Sequence, residues 1–168
     1  NTAIGSFSLY TNTTGSGNSV LGYLALTNNS GGSNNVAIGQ SAGFSTLGSG
    51  NTFLGYEAGY NETGSNKLYI DNSSTSSPLI WGDFSSNYVN INGNLGIGTT
   101  SPEFKLDVVS SDNLTMAARG SNTSGTWFRL QNTSTGGQLW DFISTGSTNG
   151  EGAGNLIIKD NSGVKMTL

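Results

Sequence analysis

The fold class this sequence predicts is all-β: a flattened solenoid shaft of stacked coils, a connector of short strands, and a small antiparallel β-sandwich at the end. Three observations carry that prediction. One short phrase recurs at nearly fixed spacing through the first third of the chain. No apolar pattern of helical period persists over the ten or so residues that a helix needs. The last third switches to strand, turn, strand patterning.

The phrase occurs four times, as NTAIG, NSVLG, NVAIG and NTFLG, beginning at Asn1, Asn18, Asn35 and Asn51, with spacings of 17, 17 and 16 residues. The same residue types at the same phase mean one structural unit stacked on the next. At about 3.3 Å per extended residue, each coil has a contour of roughly 55 Å, enough for two short strands and two tight turns, so a flattened two-sheet solenoid fits. Within each phrase Ile4, Leu21, Ile38 and Leu54 sit beside Ala3, Val20, Ala37 and Phe53. Neighbours on a strand point to opposite faces. Both faces are therefore apolar, and such sheets are covered on both sides. One face looks into the coil and the other needs something outside it, so Ile4, Leu21, Ile38, Leu54, Ala37 and Phe53 are expected together as core of the coil or of a contact between copies. The simplest outer cover is another copy of the chain about a symmetry axis.

Within each coil Gly5, Gly22, Gly39 and Gly55 mark a bend. Asn1, Asn18, Asn35 and Asn51 would form a ladder, each amide bonding its equivalent one strand spacing away, about 4.8 Å. The plain alternative is that they only form turns. A second half-phrase, at Ser8–Tyr10, Ala25–Thr27, Ala42–Phe44 and Ala58–Tyr60, supplies small residues on a return strand.

After the shaft (1–64), a connector (65–105) carries short strands at Leu68–Ile70, Leu79–Trp81, Tyr88–Ile91 and Leu95–Ile97. The last unit (106–168) reads as two hairpins. One joins Trp127–Gln131 to Gln138–Ile143, and the other joins Asn155–Lys159 to Val164–Leu168. Its expected core is Phe128, Leu130, Leu139, Ile143, Ile158, Val164, Met166 and Leu168.

Composition narrows the function classes. Charged residues are 10%, hydrophobic residues 33%, and Gly is 26 of 168, too little apolar volume for one chain to fill an ordinary core. The net charge of -4 is too small for the usual disordered composition. With six Lys and Arg in all, the chain has no electrostatic footprint for nucleic acid. No run of about 18 apolar residues could span a membrane as a helix. There is no Cys, hence no disulfide or thiolate site. The absence of His removes the commonest general base and nearly every zinc site. No calcium-loop pattern occurs, so neither metal nor cofactor is expected. Glu57, Glu62, Asp141, Glu151 and Asp160 remain as carboxylates for a glycosidase pair, though nothing in their spacing makes two converge. The chain is expected not to be an enzyme.

The repeat resembles the head repeat of trimeric autotransporter adhesins, over residues 1–64. That resemblance implies a left-handed parallel β-roll within a homotrimer. The stretch Asn66–Asn72, Pro78–Gly82, Asn94–Pro102 and Lys105–Val108, with its GIGTTSP phrase, is similar to a segment of phage tail fibres and bacterial surface fibre proteins. In that group the chain often ends in a self-cleaving intramolecular chaperone, which is not visible here. The resemblance implies an extracellular fibre, on a cell surface or a virion tail, that attaches to envelope glycans of another cell. The chain begins in mid-pattern without an initiator Met and is read as a piece of a longer fibre.

Trp127, Trp140, Trp81, Tyr88 and Tyr69 could lie flat on a sugar ring, with Arg129, Asn132, Gln138 and Asp141 as hydroxyl partners. The Ser144–Gly154 loop, with Asn149 and Glu151, is the expected contact element. The competing reading packs the Trp127 and Trp140 side chains in a core or an interface. Three rival functions stand beside adhesion: a purely structural shaft, a capsule-degrading tail spike acting through Asp141 or Glu151, and an ice-binding solenoid. The last requires a flat Thr-x-Thr array that the variable positions beside the repeat Gly do not supply.

Overall fold

Each Asn-x-x-Ile/Leu-Gly phrase becomes one strand of a single parallel sheet. The computed structural model describes residues 1–111, 126–131, 133–135, 137–148, 152–160 and 162–167. Among these there is no helix, and about four solenoid-like turns stack in the first part. The chain divides into two units, Asn1–Val109 and Ser110–Leu168.

In the first unit β1 (Thr2–Ile4), β2 (Ser19–Leu21), β3 (Val36–Ile38), β4 (Thr52–Leu54) and β5 (Lys67–Ile70) pair in parallel. Their register superimposes Ala3, Val20, Ala37, Phe53 and Tyr69. Val20, Ala37 and Phe53 are buried with Ala25, Leu26, Ala42 and Ala58 of the opposite wall, and these residues form the roll core. Ile4, Leu21 and Ile38 are 60, 48 and 45% exposed, with Leu54 half-buried. The alternation read from the phrase therefore places one apolar column inside and one outside.

The return side differs from expectation. It holds no second strand but a run of turns in which Phe7, Leu24, Ser41 and Glu57, then Leu9, Leu26, Gly43 and Gly59, all take positive φ. A left-handed Leu or Phe costs on the order of 1 kcal/mol or more. Repetition offsets it, because the turn carbonyls and N–H groups pair from coil to coil: Leu9 N to Ala25 O, Leu26 N to Ala42 O, and Gly43 N to Ala58 O, at 2.9 to 3.0 Å. Core volume is exchanged between the two walls. Where the strand side contributes Val20 or Ala37, Leu26 fills from the return side. Where Phe53 enters, Gly43 and Gly59 make room, since a Cβ at either would strike its ring.

The asparagine ladder also takes a different form. The side-chain oxygens of Asn1, Asn18 and Asn35 accept from the backbone N–H of Asn18, Asn35 and Asn51, each at 2.9 Å. Their Nδ2 groups donate to Gly15, Gly32 and Gly48 O at 2.8 to 3.0 Å. Only Asn35 also bonds an equivalent amide, Asn18 Oδ1 at 3.1 Å. A side chain that satisfies backbone groups of its own and the adjoining coil is worth more than a stacked amide, because buried N–H and C=O groups need partners. Gly5, Gly22, Gly39 and Gly55 have φ of 118° to 149°, and a Cβ there would meet the carbonyl of the next coil.

The sheet continues through the expected connector. β5 carries Lys67 at the ladder position, its N–H accepted by Asn51 Oδ1 at 2.8 Å. Then β6 (Ile80–Asp83) and β7 (Tyr88–Ile91) add antiparallel strands to the same seven-stranded sheet. β8 (Leu95–Ile97) and β9 (Leu106–Val108) form a short parallel pair around the GIGTTSP phrase.

The second unit contains one four-stranded antiparallel sheet, β10 (Thr126–Gln131), β11 (Leu139–Ser144), β12 (Leu156–Asp160) and β13 (Gly163–Thr167), in sequence order. Both expected hairpins form. They pair with each other through β11 and β12 instead of stacking as two layers, so no second sheet for a sandwich is present among the described residues. Ile143 and Ile157 are buried, whereas Phe128, Leu130, Val164 and Met166, expected in a core, are 41 to 51% exposed. Phe128, Leu130 and Met166 lie on a different face from Ile143 by the period-2 rule, while a register shift after Ile158 sets Val164 opposite Lys159. Leu168 lies outside the described residues.

Candidate functional site

Two surfaces and one cavity stand out. On the first unit, the outward column Ile4, Leu21 and Ile38 lines a shallow groove of about 160 Å³ together with Thr2 and Ser19. Apolar side chains this exposed, aligned in register over successive strands, form a continuous stripe that water solvates poorly.

On the second unit, strand register places Phe128 opposite Phe142, Leu130 opposite Trp140, and Ile158 beside both Phe142 and Met166. Phe128 and Phe142 are in contact at 6.4 Å between ring centroids. These six side chains share one face, and Trp140 is 38% exposed on it. The other face carries Arg129 and Asp141. Arg129 donates from Nε and Nη2 to the two oxygens of Asp141 at 2.7 and 3.0 Å. The Asp141 carboxylate is buried, and the Arg129 guanidinium holds its pKa below the usual carboxylate range.

The expected ligand residues are thus separated. Trp140 faces one way, while Arg129 and Asp141 face the other and satisfy each other. Gln138 is exposed just ahead of β11. Asn132, Asn149, Glu151 and the side chain of Trp127 lie outside the described residues. Among the described residues no group of three or more His, Asp, Glu or Cys could hold a metal.

The cavity, of about 170 Å³, lies on the first unit between Gly59–Glu62, Tyr69 and Ser74–Ser76. Tyr69 donates its hydroxyl to Glu62 Oε2 at 2.8 Å, and Gly64 N donates to Oε1 at 2.7 Å. Burial first, then the Glu62 hydrogen bond, push the Tyr69 phenol up to about 12, so it stays a donor at any ordinary pH. Glu62 was legible only as one scattered acid, and Tyr60 only as part of the half-phrase. Nearby, Lys67 bonds Asp83 at 2.7 Å and lies over the Trp81 ring at 5.7 Å. Lys67, then Ser85, hold the Asp83 carboxyl far below its ordinary range.

Comparison with protein-family models, with curated proteins and with solved structures finds no match.

Proposed function

We propose that this chain is a segment of a non-catalytic, homotrimeric extracellular fibre that mediates adhesion, with envelope glycans of another cell as its target. The observation that carries the reading is the outward column Ile4, Leu21, Ile38 and Leu54. A sheet with apolar residues on both faces is stable in water only when both are covered, and one chain covers only the inner one. Copies of the same chain set the same stripe together about a closed symmetry axis. The likeness of the repeat to trimeric adhesin heads supports three copies and a left-handed coil.

In this reading the roll is a spacer and the C-terminal unit a recognition tip. Three identical weak sites on one shaft raise apparent affinity through effective concentration. The Arg129–Asp141 pair argues against Asp141 as a tail-spike acid, since both its oxygens are already held. It equally favours a second reading, a structural shaft, because the tip residues described do not converge on one spot. Whole-cell retention and glycan arrays with the intact assembly test the proposal. Retention that disappears when residues 106–168 are deleted supports the tip. Retention unchanged by the deletion supports the shaft alone, and no retention on any cell or glycan refutes adhesion.

A further inference from the structure

The return wall of the roll ends abruptly, and its end is a cavity. In each coil two return-wall N–H groups donate to carbonyls of the following coil. Leu9 and Thr11 bond Ala25 O and Thr27 O, Leu26 and Asn28 bond Ala42 O and Phe44 O, and Gly43 and Ser45 bond Ala58 O and Tyr60 O. The next donors in the series are Gly59 N and Asn61 N, which take no acceptor among the described residues. Their partners would be the carbonyls of Ser74 and Ser76. That fifth wall is never built, because Asp71 accepts from Leu79 N at 2.6 Å and from Ser73 Oγ, and turns the chain back into β6. Ser74 to Ser76 instead form the far side of the cavity.

The same truncation exposes an aromatic face. Phe44 stacks on Tyr60 at 4.8 Å and 5°. Tyr60 belongs to the last complete coil and lines the cavity, with no further ring stacked on it among the described residues. Glu62 is fixed at its edge by Tyr69 and Gly64, with remaining lone pairs free to accept. The site therefore offers a flat ring, two aligned backbone donors, one anchored carboxylate acceptor and serine hydroxyls.

We infer that this cavity binds one neutral pyranose ring of a glycan. A sugar presents a C–H face that packs on an aromatic ring, hydroxyl donors for Glu62, and ring or hydroxyl oxygens for the Gly59 and Asn61 N–H groups. The volume is below the roughly 300 Å³ of drug-sized sites and far above the about 30 Å³ of one water. Glu62 is the only charged lining residue, which disfavours acidic sugars. The site lies within the first unit of one chain and on the wall opposite the outward column. The inference goes beyond the fibre reading and does not depend on a trimer or on the C-terminal unit.

The test is titration of the full chain with neutral hexoses and N-acetylhexosamines, followed by saturation-transfer NMR and calorimetry. Saturable binding with Kd on the order of 1 mM is expected. Glu62→Gln, which keeps the shape, and Tyr60→Ala should each weaken it about tenfold. Tyr10→Ala, at the far end of the same ladder and 69% exposed, should leave it unchanged. Thermal unfolding reports whether each variant folds, and Glu62→Gln decides if Tyr60→Ala does not. No saturable binding of any neutral sugar overturns the inference. So does binding that Glu62→Gln leaves intact, or binding of acidic sugars as tight as that of neutral ones. Molar mass and cell retention are separate readouts, so loss of the fibre reading would not be mistaken for loss of this site.

Discussion

Replacing Asn35 with Ala tests whether the repeat asparagines hold the roll together or only shape its turns. The Asn35 side chain, fully buried, donates to Gly48 O at 3.0 Å and Asn18 Oδ1 at 3.1 Å, and accepts from Asn51 N at 2.9 Å. Truncation leaves Asn18 Oδ1 with its bond from Asn35 N. It strands the Asn51 N–H, on a residue 1% exposed, and the Gly48 carbonyl. The stranded buried N–H costs about 1–3 kcal/mol and the half-buried Gly48 carbonyl adds less, so a loss of about 3 kcal/mol is expected. At roughly 4 °C per kcal/mol for a unit of this size, the melting midpoint falls by about 12 °C. Asn1→Ala is the internal control. Asn1 makes the equivalent bonds to Gly15 O and Asn18 N; those partners are buried, but the Asn1 side chain itself is exposed, so water can take its place and the loss should be no more than about 1 kcal/mol. Urea unfolding followed by circular dichroism measures both. Equal losses under about 1 kcal/mol would refute the argument and return these residues to the role of turn formers.

Three further outcomes follow from the same geometry. Gly39→Ala, at φ +133° and with the Gly55 carbonyl where the Cβ would go, should prevent the first unit from reaching its native β signal, whereas Gly154→Ala, strained by its φ of +82° but with open space for the Cβ, should weaken the second unit without abolishing it. Ile38→Asp changes a side chain 45% exposed in one chain, so it should abolish association while a dissociated chain keeps its circular dichroism spectrum; unchanged molar mass would place the interface elsewhere. The Asp83 and Asp141 carboxyls are held below their unfolded values by Lys67 and Arg129. Their contribution is full above about pH 4 and is lost as pH falls through the lower folded values. Melting midpoints should therefore fall on acidification below about pH 4, and Asp141→Asn should flatten that limb for the second unit; an unchanged acid limb would contradict the pairing.

Much of the first unit was legible because each position is written four times. That one apolar column lies inside and one outside follows from adjacent apolar residues in every phrase; which is which does not, and the structure puts Val20, Ala37 and Phe53 inside and Ile4, Leu21 and Ile38 outside. The left-handed return wall was not legible, because Leu9, Leu24, Leu26, Phe7 and Glu57 occupy positions where only Gly or Asn would have signalled positive φ. The strand at Leu68–Ile70 was expected, but its place as a fifth member of the parallel stack was hidden for a different reason. Asn51 Oδ1 needs only a backbone N–H below it, so Lys67 serves and the phrase ends one strand before the parallel stack does.

In the second unit local signals found both hairpins, since turns announce themselves over a few residues. The pairing of β11 with β12 is a long-range choice that no turn encodes. It decides that Phe128, Leu130, Trp140 and Phe142 share an exposed face instead of a core. The end cavity was equally hidden. Its residues come from one return wall, one strand and one loop, and its donors exist only because a wall that the period predicts is missing.

The outward column is the feature on which the fibre reading stands, and molar mass in solution tests it most directly. Light scattering at micromolar concentration should give about three times the 17.3 kDa of one chain. A folded species of 17.3 kDa, stable on dilution and heating with that column still exposed, would contradict the account.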